Sequence, residues 1–356
     1  MIDWKLVRRI ASSLSGEADG LSFAGRDLGP IARDAEQRVI AYTSLAPRDP
    51  LPRPELVSRH GWIDANIATM RPVFDGLEER LPSGGLAATP LGPLAKGASG
   101  AILSAQLGAM TGYLAQRVLG QYDIPLLDPS GPPRLLLVVP NLVATAERLR
   151  ADRDDLLRWV TLHEVTHAVQ FGGVGWLRGH LADGLRSLLE SLELRLATPP
   201  SLRMPSADDL RGLVETARTG ELVTFVVGRE RRELVDRLQT TMAVVEGHAE
   251  HVMDVIGSEI IATQAQLRAG LEERRATRST PLRLIERLIG IELKMRQYRE
   301  GKRFCDSVVE RGGIAALDRV WVDEQALPSR AELSDPAAWI ARTAARARSG
   351  AQAGAR

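Results

Sequence analysis

His163, Glu164 and His167 are the residues of this chain whose types and spacing could do the most chemistry. On a helix, side chains four apart lie one turn above each other, so the imidazoles of His163 and His167 can reach one Zn²⁺ at about 2.0–2.1 Å. Glu164 follows His163 by about 100° around the helix, so it flanks such an ion without standing in the ligand row. A carboxylate in that place can serve as general base toward a water activated by the metal. The spacing predicts one helix over 152–173, with Asp152, Asp154 and Asp155 at its amino end and Gly172-Gly173 at its stop. Its interior is apolar (Leu156, Leu157, Val160, Leu162, Val165, Val169), and two imidazoles buried there need a compensating partner.

Two histidines do not complete a catalytic zinc site; a third protein ligand is required, with the fourth position open. His180, Asp183, Glu190 and Glu193 follow closely, but the stronger candidate is Glu246 in Val244-Val-Glu-Gly-His-Ala-Glu-His-Val-Met-Asp254. Glu246 and Glu250 share a helical face, so Glu246 can bind zinc while Glu250 bonds the outer nitrogen of a ligating imidazole. The alternative for that pair is an exposed acidic face. An oxyanion formed during hydrolysis needs a donor, and His248, His251, Arg296 and Tyr298 are the candidates. His251 and Tyr298 join Glu164 in the expected catalytic set, although His251 lies off the face of Glu246 and Tyr298 can arrive only through the fold. Cys305 reads as a packed thiol and His60 as a surface residue.

The elements that must position these groups are mostly helical. Apolar residues recur at helical spacing over 4–14, 31–45, 54–81 (interrupted at Pro72), 98–119, 142–150, 176–197, 207–218, 230–256, 259–275 and 282–312. Segment 98–119 carries one formal charge, but its Ser, Thr and Gln residues favour a buried central helix over a membrane span. Its small residues would let another helix approach closely, the metal helix being a candidate. Two strands are expected, 122–127 and 134–139, the second offering a free edge for an extended substrate. The loop-like stretch 82–97 suggests a division into an N-terminal helical region packing on the core (1–95), a metal-binding domain (96–341) and a flexible tail (342–356).

Composition sets the frame. With 356 residues, 44% hydrophobic and 26% charged, the chain can bury a sizeable core. A net charge of +1 gives no nucleic-acid footprint. One cysteine rules out an internal disulfide and, with a charged amino terminus, points to the cytoplasm. Oligomeric state is not legible.

Gln170 and Gly173 stand where a metzincin needs Gly and His. His163-Glu-Val-Thr-His167 with Glu246-Gly-His-Ala-Glu250 instead resembles the gluzincins, whose third ligand is a Glu on a second helix ahead of an acidic partner. The separation of His167 from Glu246 is much longer than usual there, implying an inserted helical region. A wider resemblance, through Leu119-Gly-Gln-Tyr-Asp-Ile-Pro125, His163 to Gly172, Glu246 to Asp254, Lys294 to Phe304, Leu327 to Glu332 and Pro336 to Trp339, is to actinobacterial zincin-like proteins. That family is regarded as zinc-dependent hydrolases or metalloproteases, one branch being associated with deazaflavin coenzyme biosynthesis. The resemblance implies a mainly helical, zincin-like domain with a small sheet beside the His-Glu-x-x-His helix. It also implies one zinc per chain and a peptide or related amide as substrate. A metal-bound scaffold without catalysis and an amidase for a small metabolite are the rival expectations.

Overall fold

The computed structural model describes residues 2–16, 26–80, 92–128, 130–197, 232–276 and 291–354. The described residues are mainly helical around a small three-stranded sheet. β1 (Pro54–Val57), β2 (Gly120–Asp123) and β3 (Arg134–Val138) lie in the order β1-β3-β2, with β1 parallel and β2 antiparallel to β3.

β3 is buried from Leu135 to Val138, and its alternation divides two layers. Leu135 and Leu137 face the core formed by α2 (Gly29–Thr43), α5 (Val139–Leu149) and α6 (Arg153–Gly173). Leu136 and Val138 face Trp62 and Ile63 of α3 (Arg59–Arg80), Ala11 of α1 (Trp4–Ser15) and Ala115 of α4 (Gly92–Ala115). Because β3 is paired on both sides, the edge strands among the described residues are β1 and β2, not β3 as its hydrophobicity suggests, and β2 is the edge that lies beside α6. β1 is also unexpected: Pro54-Glu-Leu-Val continues a helical apolar spacing, but α3 begins only at Arg59 and then runs through Pro72.

α4 is not the buried central helix that its composition suggests. One face packs on α1, where a Cβ on Gly108 would meet Val7 O at 2.8 Å and one on Gly112 would meet Ala11 O at 2.7 Å. Ile102 on the other face is 60% exposed. The small residues thus admit α1 rather than the metal helix. No helix among the described residues is long and apolar enough to cross a membrane.

α6 is buried on nearly every side. Asp152 caps it, accepting from the N–H groups of Asp154 and Asp155 at 2.9 Å. Its end is tied by the Arg48 N–H donating to Gly172 O at 3.2 Å. After α7 (Leu177–Ala197) comes α8 (Arg232–Ile260), which packs on α6, followed by α9 (Gln264–Ala276). α10 (Ile291–Gly312) lies along α8 with backbones touching: a Cβ on Gly301 would fall 1.8 Å from Ala243 O, and one on Gly247 would fall 2.2 Å from Gly301 C. Only glycine at both crossing points allows this approach. The short helix α11 (Ile314–Leu317), a 3₁₀ turn over Asp318–Trp321, α12 (Arg330–Ser334) and α13 (Pro336–Gly354) close the back of this pair.

Of the stretch 342–356, expected as a flexible tail, the residues up to Gly354 continue α13 as helix. Its Ala and Arg residues are strong helix formers, and Arg342 pairs with Glu332 at 2.7 Å while Arg346 pairs with Asp323 at 2.7 Å. The helix expected at 207–218 and most of the 82–97 linker lie outside the described residues.

Candidate metal centre

α6 and α8 bring three donors together. Among the described residues, His163, His167 and Glu246 form a group of metal-ligating type whose ligand atoms all lie within 4.8 Å of one another. His163 Nε2 and His167 Nε2 are 3.3 Å apart, and Glu246 Oε2 stands 3.9 Å from the first and 3.6 Å from the second. Tetrahedral bonds of about 2.0–2.1 Å put donors about 3.3 Å apart, so the trio fits a zinc ion after a contraction of a few tenths of an ångström. Two nitrogens and one carboxylate oxygen are also the donor set of a catalytic rather than a closed zinc site. The side chains are partly accessible, at 27%, 11% and 20%.

The backs of the imidazoles are held. His167 Nδ1 lies 2.9 Å from Gln170 Oε1, and His163 Nδ1 lies 3.0 Å from Met253 Sδ. Gln170 Nε2 in turn donates to Val245 O at 2.9 Å and meets His248 Nδ1 at 2.9 Å. Gln170 and Met253 therefore stand where sequence reasoning put Glu250, which is half-buried one turn beyond Glu246. An amide and a thioether do not titrate and rarely draw attention in a ligand search. The one available signal was that both fall on helical faces shared with ligands.

Glu164 is buried beside β2. Its Oε2 accepts from the Tyr122 N–H at 2.7 Å. A Cβ on Gly120 would lie 2.7 Å from Glu164 Cγ, so glycine there leaves room for the base. Burial pushes the Glu164 carboxyl up to about 7, against the lowering effects of the His167 charge and the Tyr122 bond, with Glu246 adding to the rise. Burial pulls the His167 imidazole down, but the charge and hydrogen bond of Glu246 and the charge of Glu164 outweigh it and push it up to about 9. This holds for the metal-free site; a bound cation competes for the same lone pair.

Other expected residues fall elsewhere. His251 is buried on another side of α8, with Nε2 2.8 Å from Tyr42 Oη and Nδ1 2.8 Å from Asp306 Oδ1. Both its nitrogens are engaged there, and it is not one of the converging trio. His248 is fully buried behind α6, its imidazole pushed down to about 3 by burial and by the charges of His251 and His167. His180 bonds Thr241 Oγ1 at 3.2 Å and Glu324 at 3.3 Å, and Asp183 pairs with Arg186 at 2.6 Å. The Glu193, Arg296 and Tyr298 side chains lie outside the described residues. Cys305 is a packed thiol with 0% exposure.

A mainly helical fold with a His-Glu-x-x-His helix against a small mixed sheet, and a glutamate from a second helix, defines a zincin-type metal protein. A model of the zincin-like metallopeptidase family matches residues 2–340, and the chain belongs to that family. It is also similar to a crystal structure described as "a putative hydrolase with a novel fold" from Chloroflexus aurantiacus. The two share 28% identity, with a TM-score of 0.69 over 96% of this chain and 98% of that one. No curated protein matches.

Proposed function

We propose that this chain is a zinc-dependent hydrolase that cleaves peptide bonds, with one zinc held by His163, His167 and Glu246 and with Glu164 as general base. The observation that carries the reading is the placement of Glu164: buried, one residue from a ligand, and bonded at 2.7 Å to the backbone of the open-edged strand β2. A purely structural His₂Glu site has no need of a base beside it. A zinc ion at this position supplies Lewis-acid polarisation of a carbonyl and lowers the pKa of water.

The chain's own residues supply the rest. Glu164 takes a proton from the attacking water and returns it to the leaving nitrogen; its burial raises the affinity of the carboxylate for that proton, the direction such a shuttle needs. The Tyr122 N–H holds one carboxylate oxygen, leaving Oε1 to work. β2 places an extended backbone next to that carboxylate, which suits an extended peptide better than a compact metabolite. A reducing, cytoplasmic setting accords with a lone buried thiol.

The test is a peptide-library digestion with wild type and Glu164→Gln. Cleavage lost in the variant while zinc stays bound supports the reading. Cleavage by both at equal rates, or by neither across the library at full zinc occupancy, overturns it.

A further inference from the structure

We infer that Gln170 is a positioning residue that fixes the tautomer of His167 and, through His248, locks the helix carrying the two histidines to the helix carrying Glu246. The inference rests on the metal-site reading above, but not on hydrolysis.

The argument is one of hydrogen-bond polarity. A backbone carbonyl can only accept, so the Gln170 atom 2.9 Å from Val245 O must be the amide nitrogen. That settles the side chain's orientation without ambiguity between its O and N. Oε1 then faces His167 Nδ1 at 2.9 Å, and because an amide oxygen only accepts, Nδ1 must carry the proton. The Nε2 lone pair of His167 is thereby directed to the place where His163 Nε2 and Glu246 Oε2 converge. The wrong tautomer would present an N–H to the metal and could not bind it.

The second amide hydrogen settles the next group. Gln170 Nε2 is also 2.9 Å from His248 Nδ1, so that nitrogen accepts, and the His248 proton sits on Nε2. His248 Nε2 is buried and has no hydrogen-bond partner among the described residues. Its ring lies against Trp321 in an edge arrangement, with centroids 5.2 Å apart and planes at 83°. His248 is thus held by packing on one side and by Gln170 on the other. Val245 and His248 flank Glu246 at one and two residues' distance, so the amide grips α8 on either side of the third ligand. Gln170, Val245 and His248 are all buried from solvent, which makes this a dry linkage.

The experiment measures zinc affinity by chelator competition in wild type, Gln170→Met and Gln170→Glu, together with ¹⁵N-histidine spectra of the zinc-loaded wild type. Gln170→Met keeps the length but removes all three bonds, to His167, Val245 and His248. We expect its zinc affinity to fall about 10–100-fold, the usual effect of losing a residue that orients a metal-binding histidine. Gln170→Glu restores an acceptor for His167 and should recover part of that loss. The wild-type spectra should show a slowly exchanging Nδ1–H on His167 and an Nε2–H tautomer on His248. The spectra need no variant, so they decide the matter even if Gln170→Met fails to fold. Zinc affinity within twofold of wild type in Gln170→Met, or the opposite tautomer on either histidine, overturns the inference. A wild type that binds no zinc would instead remove the metal-site reading itself.

Discussion

Gly120→Ala tests how tightly the general base is seated. The added methyl would lie 2.7 Å from both Glu164 Cγ and Val160 Cγ1 and 2.8 Å from Glu164 Oε1. Carbon atoms in contact settle about 3.5–4.0 Å apart, so the strand and the helix must separate by about 1 Å or the Glu164 side chain must swing away. Val160 is buried and cannot yield, and a swing of Glu164 breaks its 2.7 Å bond from the Tyr122 N–H. Overpacking of this kind costs about 1–3 kcal/mol of stability. Displacing a catalytic group by about 1 Å costs on the order of 100-fold in rate. The expected result is a kcat/KM about 100-fold lower, a Tm lower by a few degrees and an unchanged zinc content, since no ligand is touched. Gly179→Ala is the control: a Cβ there meets nothing within 4 Å, and the change should be neutral or slightly stabilising. Wild-type rate and Tm in Gly120→Ala would refute the placement of Glu164 against β2.

Further outcomes follow from the same geometry. The His167 pKa of about 9 in the metal-free fold lies above its ordinary 6.5. The metal-free fold therefore has this stabilisation in full below pH 6.5 and loses it as pH rises through 9; zinc, which displaces the proton, should stabilise most at the alkaline end. Melting curves with and without chelator at pH 6 and pH 9.5 check this, and a zinc increment larger at pH 6 would contradict it. Cys305 has 0% exposure and a thiol pKa raised by burial, so iodoacetamide should label it in denaturant and leave the native protein unmodified, as read by mass spectrometry. Gly301→Ala would drive a Cβ against Ala243 O, forcing α10 off α8; a loss of at least about 3 kcal/mol with weaker zinc binding is expected, measured by denaturant unfolding and chelator competition.

Much of the centre was legible because its residues titrate or ligate. His163, Glu164 and His167 declare themselves by spacing on one helix, and Glu246 by its pairing with Glu250 four residues on. Folding back α8 onto α6 bridges the long separation in sequence, which no local pattern shows. Nothing in the sequence marks Gln170 and Met253 as site residues, because their work is to hold imidazoles, not to bind or ionise. His251 attracted notice for its type, but helical geometry already put it off the Glu246 face, and the structure spends both its nitrogens on Tyr42 and Asp306. In the fold, β3 stood out by its unbroken apolar run, whereas β1 was masked by a proline and by the helix that follows it. Its role is set by pairing with Leu135 to Val138, a contact made far along the chain. The Ala- and Arg-rich end lacked large apolar residues, so its docking through arginine pairs could not be read from hydrophobic spacing.

The most direct test of the central claim is bound zinc per chain, by elemental analysis, in wild type, His163→Ala, Glu246→Gln and Glu164→Gln prepared without chelators. The trio of donors on α6 and α8 predicts about one zinc in wild type and in Glu164→Gln, with strong loss in the other two. Zinc absent from the wild type, or retained equally in Glu246→Gln and Glu164→Gln, would contradict it.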